Sequence, residues 1–196
     1  MKRIGVLVSG GGTNLQAIID AVNGGIIKSG EVVTVVSNKK DVYALERAKK
    51  AGIEGVVIEK KAYKSVEEFD EALCNHMKSR NIDLIVMAGF LCIVGDKLIK
   101  EYENKIINIH PSLIPSFCGE GFYGLKVHEA ALKYGVKVSG ATVHYVNGVV
   151  DGGKIIKQKA VYINDDDTPE TLQKRIMEEA EWKILPEAIE EICASM

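Results

Sequence analysis

The chain has 196 residues, of which 46% are hydrophobic and 27% charged, and its formal net charge is −2 at pH 7. This length and composition are typical of one globular domain, and we interpret residues 1–196 as a single domain. The small net charge argues against general binding to nucleic acid or to a membrane surface, and no apolar stretch is long enough to span a bilayer. Four scattered cysteines without C-x-x-C spacing indicate free thiols in a reducing compartment, so we expect a cytoplasmic protein.

The first strand, predicted at residues 3–8, runs into a glycine loop and a helix at residues 15–22. The loop has the sequence SGGGTN, from Ser9 to Asn14. Its glycines let the backbone approach an anion closely, and the free N–H groups of the helix N-terminus face that anion. No Gly-Lys-Ser/Thr follows, and Leu15 stands where a dinucleotide fingerprint has its third glycine. We therefore favour a phosphomonoester over NAD, and the alternative is a tight strand-to-helix turn that needs positive φ.

Strands and helices then alternate along the chain. The predicted elements are a strand at residues 32–36, a helix at 43–51, a strand at 55–58, a helix with the apolar stripe Val66, Phe69, Leu73 and Met77, a strand at 82–87 and a helix at 96–102. This alternation predicts an α/β fold with a single open, mostly parallel twisted sheet and helices on both faces. Residues 88–94 form an apolar run outside any clear helix, which is either core or the wall of a pocket for a flat apolar group.

The run IINIHPSLIP at residues 106–115 begins as a buried, β-branched strand and leaves the sheet at Pro111, which cannot continue a central strand. Because side chains alternate along a strand, Asn108 and His110 point to the same side. They lie at the carboxyl end of the strand, the edge where open α/β sheets bind ligands. The alternative is a strand-end histidine with its tip in water and an asparagine that starts a turn.

The last part of the chain is predicted to contain an irregular loop, a helix, two strands and a final helix. The loop covers residues 116–124 and is expected to be mobile, the helix covers 127–134, and the strands, expected to be antiparallel, cover 139–145 and 155–162. A cap that includes Pro169 in the first turn begins the final helix, which is expected to run on toward Ile192.

None of the four histidines has the spacing of a metal site, so no metal is expected. We interpret His76 as a surface residue and His144 as a structural strand residue, and we leave His128 open. His110 has the best position for catalysis, and it needs an orienting carboxylate to act at neutral pH. Asp151 is the best candidate, because the two glycines after it let backbone or substrate come close. The alternative for Asp151 is an Asp-Gly turn between antiparallel strands.

Five motifs occur together in one order. They are SGGGTNLQAI at residues 9–18, SN at 37–38, AGF at 88–90, NIHPSLIP at 108–115 and DGG at 151–153. With these motifs the chain resembles the phosphoribosylglycinamide formyltransferases, the folate-dependent enzymes of purine synthesis, over essentially its whole length. The resemblance implies the formyltransferase-like variant of the Rossmann-type sheet, with an antiparallel strand pair near the C-terminal part, and one formyltransferase catalytic domain.

The resemblance also implies a set of site residues. The catalytic residues would be Asn108, His110 and Asp151. The ribonucleotide would contact Gly12, Thr13 and Asn14 at its phosphate and ribose, and Glu181 at its ribose hydroxyls. The folate would contact Lys64, Leu91, Cys92, Ile93, Val94, Asn108, Val146, Asn147, Gly148, Val149 and Val150.

The chain departs from the family pattern at two places. Most relatives have a basic residue where this chain has Cys92 and Val66, and Lys64 is then the candidate for contact with the folate glutamate tail. Residues 118–126 look longer than in many relatives, so the loop over the site is expected to differ.

The reaction implied by the resemblance is transfer of the formyl group of 10-formyltetrahydrofolate to the amine of 5-phosphoribosylglycinamide in de novo IMP biosynthesis. Both partners are small molecules, the folate is a co-substrate, no metal takes part, and the protein would be a monomer or a weak homodimer. Asn108 and a protonated His110 would donate hydrogen bonds to the formyl oxygen. Asp151 would raise the pKa of His110 and relay the proton from the amine.

Two other functions are compatible with part of the sequence. Methionyl-tRNA formyltransferase and formyltetrahydrofolate hydrolase have similar catalytic domains, each with an additional domain for which 196 residues leave no room. A non-catalytic nucleotide-binding module would explain the glycine loop, but it would leave Asn108, His110 and Asp151 without a purpose.

Overall fold

The computed structural model describes residues 1–196 and contains seven strands and seven α-helices. The strands are β1 (Lys2–Val8), β2 (Gly30–Ser37), β3 (Glu54–Val57), β4 (Leu84–Met87), β5 (Ile106–His110), β6 (Val138–Tyr145) and β7 (Ile155–Tyr162). The helices are α1 (Thr13–Asn23), α2 (Tyr43–Lys50), α3 (Val66–Ser79), α4 (Asp96–Glu101), α5 (Leu125–Tyr134), α6 (Pro169–Ile176) and α7 (Trp182–Ser195). A 3₁₀ turn covers Lys60–Ala62, and a π-helical turn covers Met177–Glu181.

All seven strands belong to one sheet in the order β3-β2-β1-β4-β5-β6-β7. The first five run parallel to one another, whereas β6 is antiparallel to β5 and to β7. The prediction of an open, mostly parallel α/β sheet with one antiparallel pair is therefore confirmed. None of the helices is long and apolar enough to cross a membrane.

The core has two layers, one on each face of the sheet. Along β1, Ile4, Val6 and Val8 pack with α1, α6 and α7, while Leu7 packs with α3 and α4 on the opposite face. The same alternation places Ile107 and Ile109 of β5 in the first layer. The remaining side chains of β5 therefore point to the face that α3 and α4 cover.

The helices confirm one sequence prediction and contradict another. The C-terminal segment is helical from Pro169 to Ser195, as predicted, and a wider π-helical turn lies between α6 and α7. Val66 does not join the buried stripe of α3 and is 43% exposed, because it is the first residue of that helix and precedes the turn that packs on the sheet.

The loops after β1 and β4 meet at the point where the sheet changes its winding direction. From β1 the chain moves outward to β2, and from β4 it moves the other way to β5. The backbone N–H of Leu91 donates to Ser9 Oγ at 2.8 Å, and that hydroxyl donates to Asn38 Oδ1 at 2.6 Å. Switch points of this kind are the usual ligand crevice of open α/β sheets.

Gly12 has a structural reason to be glycine, whereas Gly11 has none within the chain. The φ angle of Gly12 is 73°, and an added Cβ would lie 2.7 Å from the Cβ of Ala44. An added Cβ at Gly11 would meet nothing within 4 Å. The turn that needs positive φ therefore explains the third glycine of the loop and leaves the first two for another purpose.

We expect Gly12→Ala to lower the free energy of unfolding by roughly 1–3 kcal/mol, since a left-handed backbone and a crowded Cβ are both unfavourable. Gly11→Ala is the matched control and should unfold like the wild type. Urea unfolding at equilibrium measures both. Equal midpoints for the two variants would contradict the assignment of strain to Gly12.

Candidate functional site

Asn108 and His110 lie on the same face of β5, and β6 places a side chain opposite each. In the antiparallel register Asn108 faces His144 and His110 faces Thr142. The Thr142 hydroxyl donates to the carbonyl of Ser112 at 2.7 Å and so holds the turn that follows His110. Met87, the last residue of β4, pairs with Asn108, so β5 extends two residues beyond its parallel neighbour.

The imidazole of His110 is buried between two hydrogen-bond acceptors. Its Nε2 donates to the carbonyl oxygen of Phe117 at 2.9 Å, and its Nδ1 lies 3.5 Å from Oδ2 of Asp151. Burial lowers the pKa of His110 below its usual value, although the charge of Asp151 and the Phe117 carbonyl oppose that shift. Asp151 therefore raises the pKa of His110 as expected, but desolvation outweighs this attraction, so the ring of the free protein is not the protonated one that was expected.

Asp151 reaches back over the sheet to meet both histidines. Its Oδ1 lies 3.5 Å from His144 Nε2, and its Oδ2 accepts from the backbone N–H of Gly119 at 2.9 Å. Burial favours the neutral carboxyl, but the contacts of Asp151 with the His144 ring, the His110 ring and the Gly119 N–H outweigh it and hold the pKa of Asp151 below its usual value. Asp151 is therefore an ionised carboxylate in a mostly buried position.

The two glycines after Asp151 are required by close packing of the backbone. A Cβ at Gly152 would lie 2.6 Å from the side chain of Val149, and a Cβ at Gly153 would overlap the carbonyl oxygen of Tyr145. Asp151 itself has a φ of 54°. The Asp-Gly-Gly segment is thus both a tight turn and the element that brings the carboxylate to His110.

His144 is the residue of this cluster that sequence reasoning missed. Its Nδ1 lies 2.8 Å from the carbonyl oxygen of its neighbour Tyr145, and its Nε2 lies 3.1 Å from Nδ2 of Asn108. The side chain is only 2% exposed. A prediction of His144 opposite Asn108 would have required knowing that β6 pairs with β5. The residue pattern of one strand does not reveal which strand lies next to it.

The other two histidines have distinct environments. His128 on α5 is fully buried, and neither ring nitrogen has a hydrogen-bond partner within the chain. Burial and the nearby charge of His110 lower the pKa of His128 to about 4, so the ring is neutral. His76 is not a surface residue as predicted, because its side chain is 12% exposed and bonds to Thr34 Oγ1 at 3.0 Å.

The glycine loop presents an exposed backbone at the start of α1. Gly10 and Gly11 are exposed with open space around them, and Gly12 is the residue before the first helical turn. The first N–H groups of a helix have no acceptor within it, so those of Thr13 and Asn14 remain available. Arg47 of α2 donates from Nε to the carbonyl of Gly11 at 2.8 Å and holds the loop from behind.

Glu181 lies beneath this loop, at the end of the π-helical turn. Its Oε2 accepts from Nδ2 of Asn14 at 2.6 Å, while Oδ1 of Asn14 is buried without a partner in the chain. Burial raises the pKa of Glu181 to about 7, and the bond from Asn14 only partly offsets that effect. Asn14 and Glu181, 167 residues apart, thus form one buried polar pair beside the glycine loop.

The two segments expected to line a folate pocket contain the exposed apolar side chains of this region. Leu91 and Ile93 are 55% and 67% exposed, and Val149 and Val150 also face solvent, whereas Val94 is buried in the core. Cys92 accepts from Asn38 Nδ2, Val146 donates its N–H to the carbonyl of Ile106, and Asn147 accepts from the N–H of Val149 across Gly148.

Lys64 is not joined to this cluster by any hydrogen bond or ion pair of its side chain. It is exposed, and its backbone N–H donates to Glu68 Oε2 at 2.9 Å. The neighbouring Tyr63 packs on Phe69, with 6.0 Å between the ring centroids. The expected contact of Lys64 with a folate tail therefore stays a prediction.

The raised pKa of Glu181 has a consequence for stability. Between pH 4.5 and about 7 the folded protein keeps a proton that the unfolded chain has released, so this group lowers stability as the pH rises through that window. The effect amounts to roughly 3 kcal/mol when complete. We expect Glu181→Gln to remove this pH dependence and to be more stable than the wild type at pH 8.

Urea unfolding of wild type and variant from pH 4.5 to pH 8 measures the effect. Glu179→Gln is the matched control, because Glu179 lies in the same π-helical turn and is exposed. The same pH dependence in wild type and Glu181→Gln would show that Glu181 is ionised throughout.

Residues 2–189 match the sequence profile of the family described as formyl transferase. Phosphoribosylglycinamide formyltransferase of Haemophilus influenzae is 42% identical over 95% of this chain and 84% of its own length. The chloroplastic phosphoribosylglycinamide formyltransferase of Arabidopsis thaliana is 38% identical over 98% of this chain, which spans 65% of that relative's length.

A solved structure gives the same result at the level of the fold. The crystal structure of glycinamide ribonucleotide transformylase 1 from Symbiobacterium toebii superimposes with a TM-score of 0.93 and 44% identity, covering 100% of this chain and 89% of that chain. The resemblance to phosphoribosylglycinamide formyltransferases is confirmed. The chain therefore belongs to the formyl transferase family.

Proposed function

We propose that this chain is a phosphoribosylglycinamide formyltransferase, with residues 1–196 acting as one catalytic domain. It would move the formyl group of 10-formyltetrahydrofolate to the amine of 5-phosphoribosylglycinamide in de novo purine biosynthesis. The observation that carries the proposal is the cluster of Asn108, His110 and Asp151 at the end of β5. A neutral amide donor, a buried imidazole and an ionised carboxylate meet there, beside the crevice at the switch point.

The amine would attack the formyl carbon directly, and the chemistry needs one proton to move. A C–N bond forms to the amine, the C–N bond to the folate nitrogen breaks, and the proton lost by the amine ends on that nitrogen. Negative charge develops on the formyl oxygen, where an N–H of Asn108 would donate a hydrogen bond. No covalent intermediate with the protein is required.

His110 would receive that proton during the reaction. Burial keeps the ring neutral in the free protein, and Phe117 fixes a hydrogen on Nε2, so Nδ1 offers a lone pair beside Asp151. Protonation of Nδ1 by the amine, directly or through water, creates an imidazolium that the carboxylate of Asp151 stabilises. The charged ring can then donate to the oxyanion and later return the proton to the leaving nitrogen.

The ribonucleotide would occupy the glycine loop, and the folate would lie against the apolar side chains of Leu91, Ile93 and Val149. Exposed glycine backbone at the start of α1 suits a phosphate, and the buried pair Asn14 and Glu181 suits ribose hydroxyls. Adjacent sites for a phosphate and for ribose hydroxyls favour a ribonucleotide as the formyl acceptor over tRNA or water. The small-molecule co-substrate would be the only formyl source.

Formation of tetrahydrofolate from 10-formyltetrahydrofolate, with and without the ribonucleotide, tests the proposal. We expect turnover only with the ribonucleotide, and Asp151→Asn should lower it by about a hundredfold to a thousandfold while both substrates still bind. Asp165→Asn is the matched control, because the Asp165 side chain is 98% exposed. His110→Ala combined with Asp151→Asn should cost little more than either change alone, since the two groups act as a unit.

Turnover without the ribonucleotide would identify a hydrolase instead. Losses that multiply in the double variant would mean that Asp151 and His110 act separately.

The glycine loop allows a separate test of where the ribonucleotide binds. Gly11→Val places a branched side chain in open space where we place the phosphate, so ribonucleotide binding should weaken at least tenfold. Binding of a folate analogue is the internal control and should not change. Calorimetric titration of each ligand measures both, and an equal loss for both ligands would refute this placement of the phosphate.

A further inference from the structure

We propose that His144 is a positioning residue that fixes the orientation of the Asn108 amide, so that one amide N–H points to the reacting formyl oxygen. The inference rests on the proposed function, in which Asn108 is the oxyanion donor. It assigns a task to a buried histidine that the transfer of the proton does not use.

The Tyr145 carbonyl determines which nitrogen of His144 carries the hydrogen. A carbonyl oxygen can only accept, so the 2.8 Å contact from Nδ1 requires an Nδ1–H group. In the neutral ring Nε2 is then a bare acceptor. The 3.1 Å contact between that nitrogen and Nδ2 of Asn108 is therefore a hydrogen bond donated by the amide.

This bond distinguishes the two ends of the Asn108 side chain. An amide has nearly the same shape when it is flipped, but a flip would turn Oδ1 toward the lone pair of His144 Nε2. The same flip would remove the N–H groups from the developing oxyanion. With one N–H held by His144, the second N–H of the half-buried Asn108 is fixed in direction and free to donate.

The surroundings of His144 hold its ring in a fixed position. The ring is 2% exposed, and its polar neighbours are Asn108, the Tyr145 carbonyl and Asp151 Oδ1 at 3.5 Å from Nε2. Gly153 packs against the Tyr145 carbonyl so closely that any side chain there would displace it. The glycine that follows Asp151-Gly152 thus keeps in place the acceptor that orders the histidine.

The test compares His144→Phe, which removes the acceptor, with His144→Gln, whose side-chain oxygen can reach the same place. We expect His144→Phe to lower kcat about tenfold to a hundredfold with both substrate affinities unchanged, and His144→Gln to recover most of the loss. In an Asn108→Ala background, His144→Phe should have almost no further effect. His76→Gln is the matched control, since His76 lies on α3 away from β5 and β6.

Nitrogen-15 NMR of the histidine rings supplies a readout that does not depend on activity. We expect His144 to carry its proton on Nδ1, with an Nε2 signal that shifts in Asn108→Ala. A proton on Nε2, an unchanged Nε2 signal in Asn108→Ala, wild-type kcat in His144→Phe, or losses that multiply with Asn108→Ala would each overturn the inference. If the wild type transfers no formyl group, the proposed function fails, and the NMR result still decides the hydrogen-bond assignment.

Discussion

The antiparallel pairing of β5 with β6 is the constraint on which the candidate site depends. It sets His144 opposite Asn108 and Thr142 opposite His110, and it directs the chain after Tyr145 back across the same face of the sheet. A parallel neighbour would have continued away from this edge by a crossover connection of a dozen or more residues. Because β6 turns back, Asp151 arrives within reach of both histidines.

Within that frame, the cluster is decided by competition between desolvation and charge. Asp151 stays ionised because two imidazoles and the Gly119 N–H compensate for its burial. His110 has one carboxylate at 3.5 Å and one carbonyl, which do not compensate for its own burial. The resting pair is therefore a carboxylate beside a neutral ring. When His110 accepts a proton, the positive charge of the imidazolium forms next to the negative charge of Asp151.

Much of this arrangement could be predicted from the sequence, and the exceptions have physical reasons. The alternation of β5 and the turn at Pro111 follow from local pattern, and so does the start of α1 after the glycines. The roles of His76 and His144 depend on which strand or helix lies next to each, and a local pattern does not contain that information. The pKa of His110 depends on how deeply its ring is buried and on the distance from the ring to Asp151. The spacing of residues along the chain determines neither quantity.

The π-helical turn shows how a small change in helix geometry can serve a site far away in sequence. A π turn places five residues where a regular helix would use fewer, so the side chain at its end rotates relative to the preceding helix. Here that side chain is Glu181, which points into the protein and meets Asn14. A regular helix from Pro169 onward would bring α7 against the sheet in another register. The carboxyl group beneath the glycine loop is thus positioned by the same irregularity that separates α6 from α7.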